Sequence, residues 1–90
     1  MNDDQRSVRL DRVDTGTPYA VLQILYPDTA VDWPQRLEEL GFLPGERVMV
    51  MARAAPGGDP LAVRVGHSTY ALRRQEAACV QVKPWPQELA

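Results

Sequence analysis

The thirteen residues from Arg36 to Val48, RLEELGFLPGERV, constrain the fold more than any other part of this chain. They read as a short helix, an abrupt stop, a tight turn and the start of a strand. Asp32 is placed to cap the helix, with Gln35 three residues later completing a capping-box pattern. Trp33, Leu37 and Leu40 fall at i, i+4 and i+7, on one helix face. Gly41 suits the left-handed position just past a helix end, and Phe42 can then fold back on Leu37 in a Schellman stop. Leu43-Pro44-Gly45-Glu46 has Pro and Gly at the two central positions of a type II turn.

Length and charge narrow what such a unit can serve. Ninety residues make one domain and leave no room for two cores. The net charge is −2, and no basic face marks a nucleic-acid module. A single cysteine excludes an intrachain disulfide. MNDDQRSVRL has no apolar run of a signal peptide, and no stretch reaches the ~18 apolar residues of a membrane span. The expectation is a cytoplasmic protein that does not insert in a membrane and serves a membrane process only by docking.

Along the chain, residues 1–7 are polar and read as a flexible N-terminus. Leu10 and Val13 suggest a single helical turn ended near Gly16. Tyr19 to Leu25 reads as a strand whose poor alternation predicts a bulge or burial on both faces. Arg47 to Ala54 is the next strand, with Val48, Val50 and Ala52 on one face and Met49, Met51 and Arg53 on the other. Ala55 to Pro60 is a loop. Leu61, Val63 and Val65 form a half-buried strand, Gly66-His67-Ser68 a reversal, and Thr69–Leu72 the return strand. Arg73–Ala78 is one or two helical turns. Val80 and Val82 form a last strand, stopped by Lys83-Pro84. Five short strands, two small helices and short connections predict a mainly β, strongly bent small barrel occupying residues 8–84, with 85–90 as a tail.

An ordered series of these residues resembles the ferrous iron transport protein A (FeoA) family of SH3-like barrels. The series begins at Leu10, Val13, Gly16, Val21 and Ile24. It sharpens at Arg36-Leu37, Leu40-Gly41-Phe42, Pro44-Gly45 and Val48, and continues through Ala55-Pro56, Gly58-Asp59-Pro60, Val63 and Val65. It closes at Ala71-Leu72-Arg73-Arg74, Glu76-Ala77, Val80 and Val82. The Leu25–Asp32 connection and the Pro/Trp tail depart from the family pattern. The resemblance implies a cytosolic accessory of ferrous iron uptake. Its partner would be ferrous iron transport protein B, a membrane transporter with a cytoplasmic G domain, whose transport or nucleotide turnover it would modulate. Docking would recruit it to the inner membrane. The same barrel occurs in iron-dependent repressors, whose helix-turn-helix is missing here. A metal-sensing regulatory domain and a peptide-binding adaptor are the alternatives.

No catalytic constellation is visible, and the expectation is a protein that is not an enzyme. His67 and Cys79 are the only histidine and cysteine. Gly57-Gly58 lacks the Lys and Ser/Thr of a phosphate loop. One His and one Cys cannot build a closed four-ligand metal site, so no obligate cofactor is expected. His67, in a turn, could hold a divalent ion only weakly, unless a second chain in a weak homodimer supplied further ligands. Cys79 reads as a small buried apolar residue, and Met49 and Met51 as packing beneath the helix. Arg73 and Arg74 read as a solvated helix start; Trp85 could cover a barrel end or meet a partner. The surface assigned to partner binding joins Arg36, Glu38 and Glu39 on the helix with the loop Pro56, Gly57, Gly58 and Asp59.

Overall fold

The computed structural model describes residues 7–26 and 32–86. The expected flexibility of residues 1–6, the connection 27–31 and the end of the tail lie outside the described residues. Among the described residues six strands form one sheet: β1 (Val8–Arg9), β2 (Pro18–Ile24), β3 (Arg47–Arg53), β4 (Leu61–Val65), β5 (Ser68–Leu72) and β6 (Val80–Pro84). The spatial order is β1-β6-β2-β3-β4-β5, with every neighbouring pair antiparallel. Helix α1 (Trp33–Leu40) lies between β2 and β3, and α2 (Arg74–Ala77) between β5 and β6. A 3-10 turn, Leu10–Arg12, follows β1. The mainly β architecture with two short helices is as expected, with one strand more. The addition is β1, where Val8 pairs with Val82 and Arg9 with Gln81. Two residues after a polar N-terminus carry no strand signal of their own.

Two bulges bend the sheet. In β2 the register against β6 slips between Val21 and Gln23, as the poor alternation predicted. In β3 it slips against β4 between Val50 and Ala52. This second bulge overturns the simple alternation expected for β3. Val48 and Val50 remain buried, but Ala52 is exposed and Arg53 comes opposite Leu61, which is fully buried. Met51 is the inserted residue and is exposed, so it does not pack beneath the helix. Inside the bend, Val21, Val48, Val50, Val63, Val80 and Val82 meet Leu10, Leu37, Phe42, Leu61 and Leu72 in one core. Each such side chain contributes about 1.5–3 kcal/mol by leaving water.

The stop after α1 forms as the sequence predicts. Gly41 takes φ +115°, its N–H donates to the Glu38 carbonyl at 3.0 Å, and the Phe42 N–H donates to the Leu37 carbonyl at 3.1 Å. That pair of bonds is the Schellman pattern, and both Leu37 and Phe42 are fully buried. The Glu46 N–H then closes the type II turn on the Leu43 carbonyl at 3.0 Å, with Gly45 at φ +91°. Bonds from the Gly45 N–H to the Val21 carbonyl (2.8 Å) and from the Val21 N–H to the Glu46 carbonyl (2.9 Å) stitch this turn to β2. The start of α1 differs from expectation. Asp32 holds the N-cap position, but its side chain makes no capping bond. Its backbone is helical rather than extended, so its carboxylate is not aimed at the first turn. Pro34 at the helix start supplies a ready φ and lacks an N–H that would need a partner.

The positive φ of Gly41 makes a direct test of the stop. Gly41→Val should destabilise the fold by ~1–2 kcal/mol or more, because a β-branched residue is strained in this region. Open space surrounds the added Cβ, so the cost measured by thermal melting would be conformational.

Candidate functional site

The exposed side of α1 carries Asp32, Gln35, Arg36, Glu38 and Glu39. Arg36, Glu38 and Glu39 are exposed as expected, but their roles differ. Arg36 Nη1 donates to Glu76 Oε2 at 2.6 Å, while the Glu76 side chain is only 7% exposed. The other oxygen, Oε1, accepts the backbone N–H of Arg73 at 2.9 Å. Glu76 therefore joins α1 to the start of α2 and caps α2 from its third residue. Arg36 is consequently a structural cation rather than a free surface charge. Glu38 Oε2 accepts from the Tyr26 hydroxyl at 3.3 Å in an exposed contact, and among the described residues Glu39 makes no ion pair.

The loop half of the predicted surface lies beyond α2. Pro56, Gly57 and Asp59 are exposed, and Gly58 is half-buried against the Arg53 side chain. Asp59 Oδ1 accepts the Arg74 N–H at 3.1 Å, which holds the loop to the first residue of α2. Helix α2 thus connects both predicted segments, through Arg36–Glu76 on one side and Asp59–Arg74 on the other. Between the loop and β1 is a shallow depression of about 330 Å³ lined by Arg9, Asp11, Asp59, Arg74, Gln75 and Ala78.

Three groups near this end escaped sequence reading. Arg9 forms a two-bond pair with Asp11, Nε to Oδ1 at 3.0 Å and Nη2 to Oδ2 at 2.7 Å. Arg53 Nη1 donates to the Asp11 carbonyl at 2.9 Å, and Nη2 to the Val13 carbonyl. Glu76 is the third. Its one sequence signal was a glutamate three residues after the helix boundary, masked because Arg73 is not an N-cap type. Burial pushes the Asp11 carboxyl up, but the hydrogen bonds and charge of Arg9 outweigh it and hold the group below the ordinary carboxylate value. Cys79 is buried, as expected, with Sγ 3.6 Å from the Gln75 carbonyl; burial pushes its thiol up, reinforced by the Glu76 charge.

His67 is exposed in the two-residue turn between β4 and β5. Among the described residues no three His, Cys, Asp or Glu side chains group to hold a metal ion. None of the described helices is long and apolar enough to cross a membrane. Arg73 and Arg74 are exposed at the helix start, as read. Trp85 is half-buried: its backbone N–H donates to the Pro18 carbonyl at 3.3 Å, and the Arg47 guanidinium lies 5.9 Å from its ring centroid.

With this geometry in place, the comparisons with known proteins are consistent in both sequence and fold. The FeoA domain family model matches residues 8–84. The FeoA of Stenotrophomonas maltophilia superposes with a TM-score of 0.77 at 36% identity, covering 84% of this chain and 89% of that one. That protein is described as a prokaryotic SH3 domain complexed with zinc and a candidate activating factor of ferrous iron transport. The iron(II) transport protein A of Clostridium thermocellum gives a TM-score of 0.73 at 27% identity, covering 86% of this chain and 45% of that one. A manganese-dependent transcriptional repressor shares the fold alone, with a TM-score of 0.73 at 19% identity over 88% of this chain and 42% of its own. No curated protein sequence gives a significant match.

Two tests follow. Arg36→Glu sets a like charge against the buried Glu76 carboxylate, and thermal melting should show a loss of ~1–3 kcal/mol, less than for a fully buried pair because Arg36 is half in water. The lowered Asp11 pKa fixes the sign of a pH effect. The unfolded carboxyl takes up its proton near pH ~3.9 and the folded one lower, so the stabilisation is complete above that range and is lost as pH falls through the folded value. The melting-temperature gap between wild type and Asp11→Asn should therefore shrink from pH 6 toward pH 3. A constant gap would show that the Arg9 pair does not lower the carboxyl.

Proposed function

The chain belongs to the FeoA family, associated with ferrous iron transport, and from that premise we propose that it is a non-catalytic cytoplasmic accessory of ferrous iron uptake. In this reading it docks on the cytoplasmic portion of ferrous iron transport protein B, is recruited by it to the inner membrane, and modulates its transport or nucleotide turnover. The family match across residues 8–84 is the observation that carries the reading. The resemblance to a protein described as a candidate transport activating factor, at 36% identity, gives it direction.

The protein acts here as a surface, without an obligate cofactor. A divalent ion would meet a lone exposed imidazole at His67, a weak site by ligand number. The docking face is the exposed side of α1 at Glu38 and Glu39, with the Pro56–Asp59 loop on the far side of α2. Arg36 borders this face while its charge is committed to Glu76. Loops and short helices held by a rigid scaffold are common recognition sites.

Glu38→Arg combined with Glu39→Arg tests the face without touching the Arg36–Glu76 pair. The fold should survive, since exposed charges contribute only ~0–1 kcal/mol. Reversing rim charges should chiefly slow association with the transporter's cytoplasmic portion, read by surface plasmon resonance, and lower ferrous iron uptake in cells depending on this protein. Normal association by the double variant would exclude the α1 face. Unchanged uptake on deletion of the whole gene would refute the transport role.

A further inference from the structure

β5 ends the sheet. It is bonded to β4 on one side, and among the described residues no backbone group bonds to its other side. The register identifies the groups that face outward. The two-residue Gly66-His67 turn makes Val65 and Ser68 a hydrogen-bonded pair. Bonded and non-bonded pairs alternate in an antiparallel ladder, so Val63–Tyr70 and Leu61–Leu72 are also bonded pairs. Thr69 and Ala71 therefore turn their N–H and C=O groups away from β4, offering two donors and two acceptors at the spacing of one more strand. Natural edges are usually blunted by a charge, a proline or a bulge. The sequence of β5, STYAL, has no charge and no proline, and its pairing with β4 is unbroken.

The surroundings indicate what would fit there. Thr69 and Ala71 are exposed, and only small side chains share the row of Ala71 on the outer face. The row through Ala71 is Ala52–Ala62–Ala71, and the residue opposite Thr69 is Arg64. From Pro60 to Gln75 the sequence holds Arg64, His67, Arg73 and Arg74 and no Asp or Glu, in a chain of net charge −2. The three arginines are exposed, and among the described residues none is in an ion pair. Asp59 touches Arg74 only at its backbone N–H, and Glu76 is turned inward to Arg36. A side chain opposite Thr69 on an added strand would lie two strand spacings, about 9–10 Å, from the Arg64 backbone, within reach of an extended arginine.

We propose that the open edge of β5 is a recognition surface that adds an extended, carboxylate-bearing polypeptide segment as a further strand. Main-chain bonds at Thr69 and Ala71 would supply the pairing, and Arg64, Arg73 and Arg74 the preference for acidic residues. A second copy of the chain is the less suited occupant, because pairing β5 with β5 brings two basic edges together. The inference rests on the β5 edge and the three arginines beside it, and is independent of the transport reading and of the α1 face.

The test uses the full chain labelled with nitrogen-15 and two eight-residue peptides, one alternating Val with Glu and one alternating Val with Lys. The Glu peptide should shift the Thr69 and Ala71 amides, slow their hydrogen exchange, and bind less well as salt rises. The Lys peptide should bind at least ~10-fold more weakly. Ala71→Pro removes one outward donor at a position where an edge tolerates proline, and should abolish binding of the Glu peptide. Arg64→Glu with Arg73→Glu leaves the backbone edge intact and should erase the preference between peptides, so a folding failure of the proline variant would not decide the matter. The proposal is overturned by no change at Thr69 and Ala71 at roughly millimolar Glu peptide. Equal affinity for the two peptides would overturn it as well. So would concentration-dependent shifts of these amides without peptide, which would assign the edge to a second copy.

Discussion

A carboxylate held away from water needs a donor for each oxygen, and Glu76 takes its two from different parts of the fold. One is the Arg36 guanidinium on α1, the other the Arg73 N–H at the entry to α2. The four-residue α2 is too short to hold its own place, since helices of this length have little intrinsic stability. It is positioned instead by Glu76, by Asp59 at its first residue, and by Ala77, which is fully buried in the core. The end of the barrel that carries both predicted docking segments thus depends on one buried acid. Removing either donor would leave one oxygen of this largely buried carboxylate without its partner.

Arg53 holds the N-terminal segment of the chain in a comparable way. The β3 bulge at Met51 turns Arg53 to the side of Leu61, where it gathers the carbonyls of Asp11 and Val13. Asp11 in turn is held by Arg9, the second residue of the short strand β1. A segment with two strand residues and one 3-10 turn thereby gains a fixed course across β3. The bulge is therefore a directing feature: with regular pleating, Arg53 would face solvent and these carbonyls would lose their donors.

Elements decided by local backbone chemistry were legible in the sequence. The Schellman stop at Gly41 and the type II turn at Gly45 rest on residues within five positions of one another, and both form as read. The strands β2 to β6 were legible from apolar runs bounded by turn residues, although β2 alternates poorly and β3 loses its alternation at the bulge. Features decided by distant partners were not. Arg36 and Glu76 are 40 residues apart, and Arg53 and Asp11 are 42, so nothing near either cation announces its acceptor. Strand β1 exists because β6 offers Val82 and Gln81 to pair with it, not because Val8-Arg9 has any periodicity. The missing Asp32 cap is the reverse case: a good local pattern lost because the backbone at that residue is helical. The family was legible from an ordered combination of residues, although no single residue carried chemistry that implied it.

The filled interior explains why function was the least legible part. Val21, Val48, Val50, Val63, Val80 and Val82 are all essentially out of solvent and leave the bend occupied by side chains. Recognition is then left to loops, a helix face and the sheet edge, none of which requires a motif. Main-chain recognition is the extreme instance, since the groups at Thr69 and Ala71 would be the same in almost any sequence. Charge is the sequence-encoded part. Asp32, Glu38, Glu39 and Glu46 lie around α1 and its turn, where Arg36 is spent on Glu76 and Arg47 lies over the Trp85 ring. Arg64, Arg73 and Arg74 lie around β5 with no ion pair among the described residues. A nearly neutral chain is divided in this way into a side rich in acids around α1 and an edge rich in arginines around β5. In the two proposed readings that division would orient an approaching partner before contact, and the two surfaces would select partners of opposite sign.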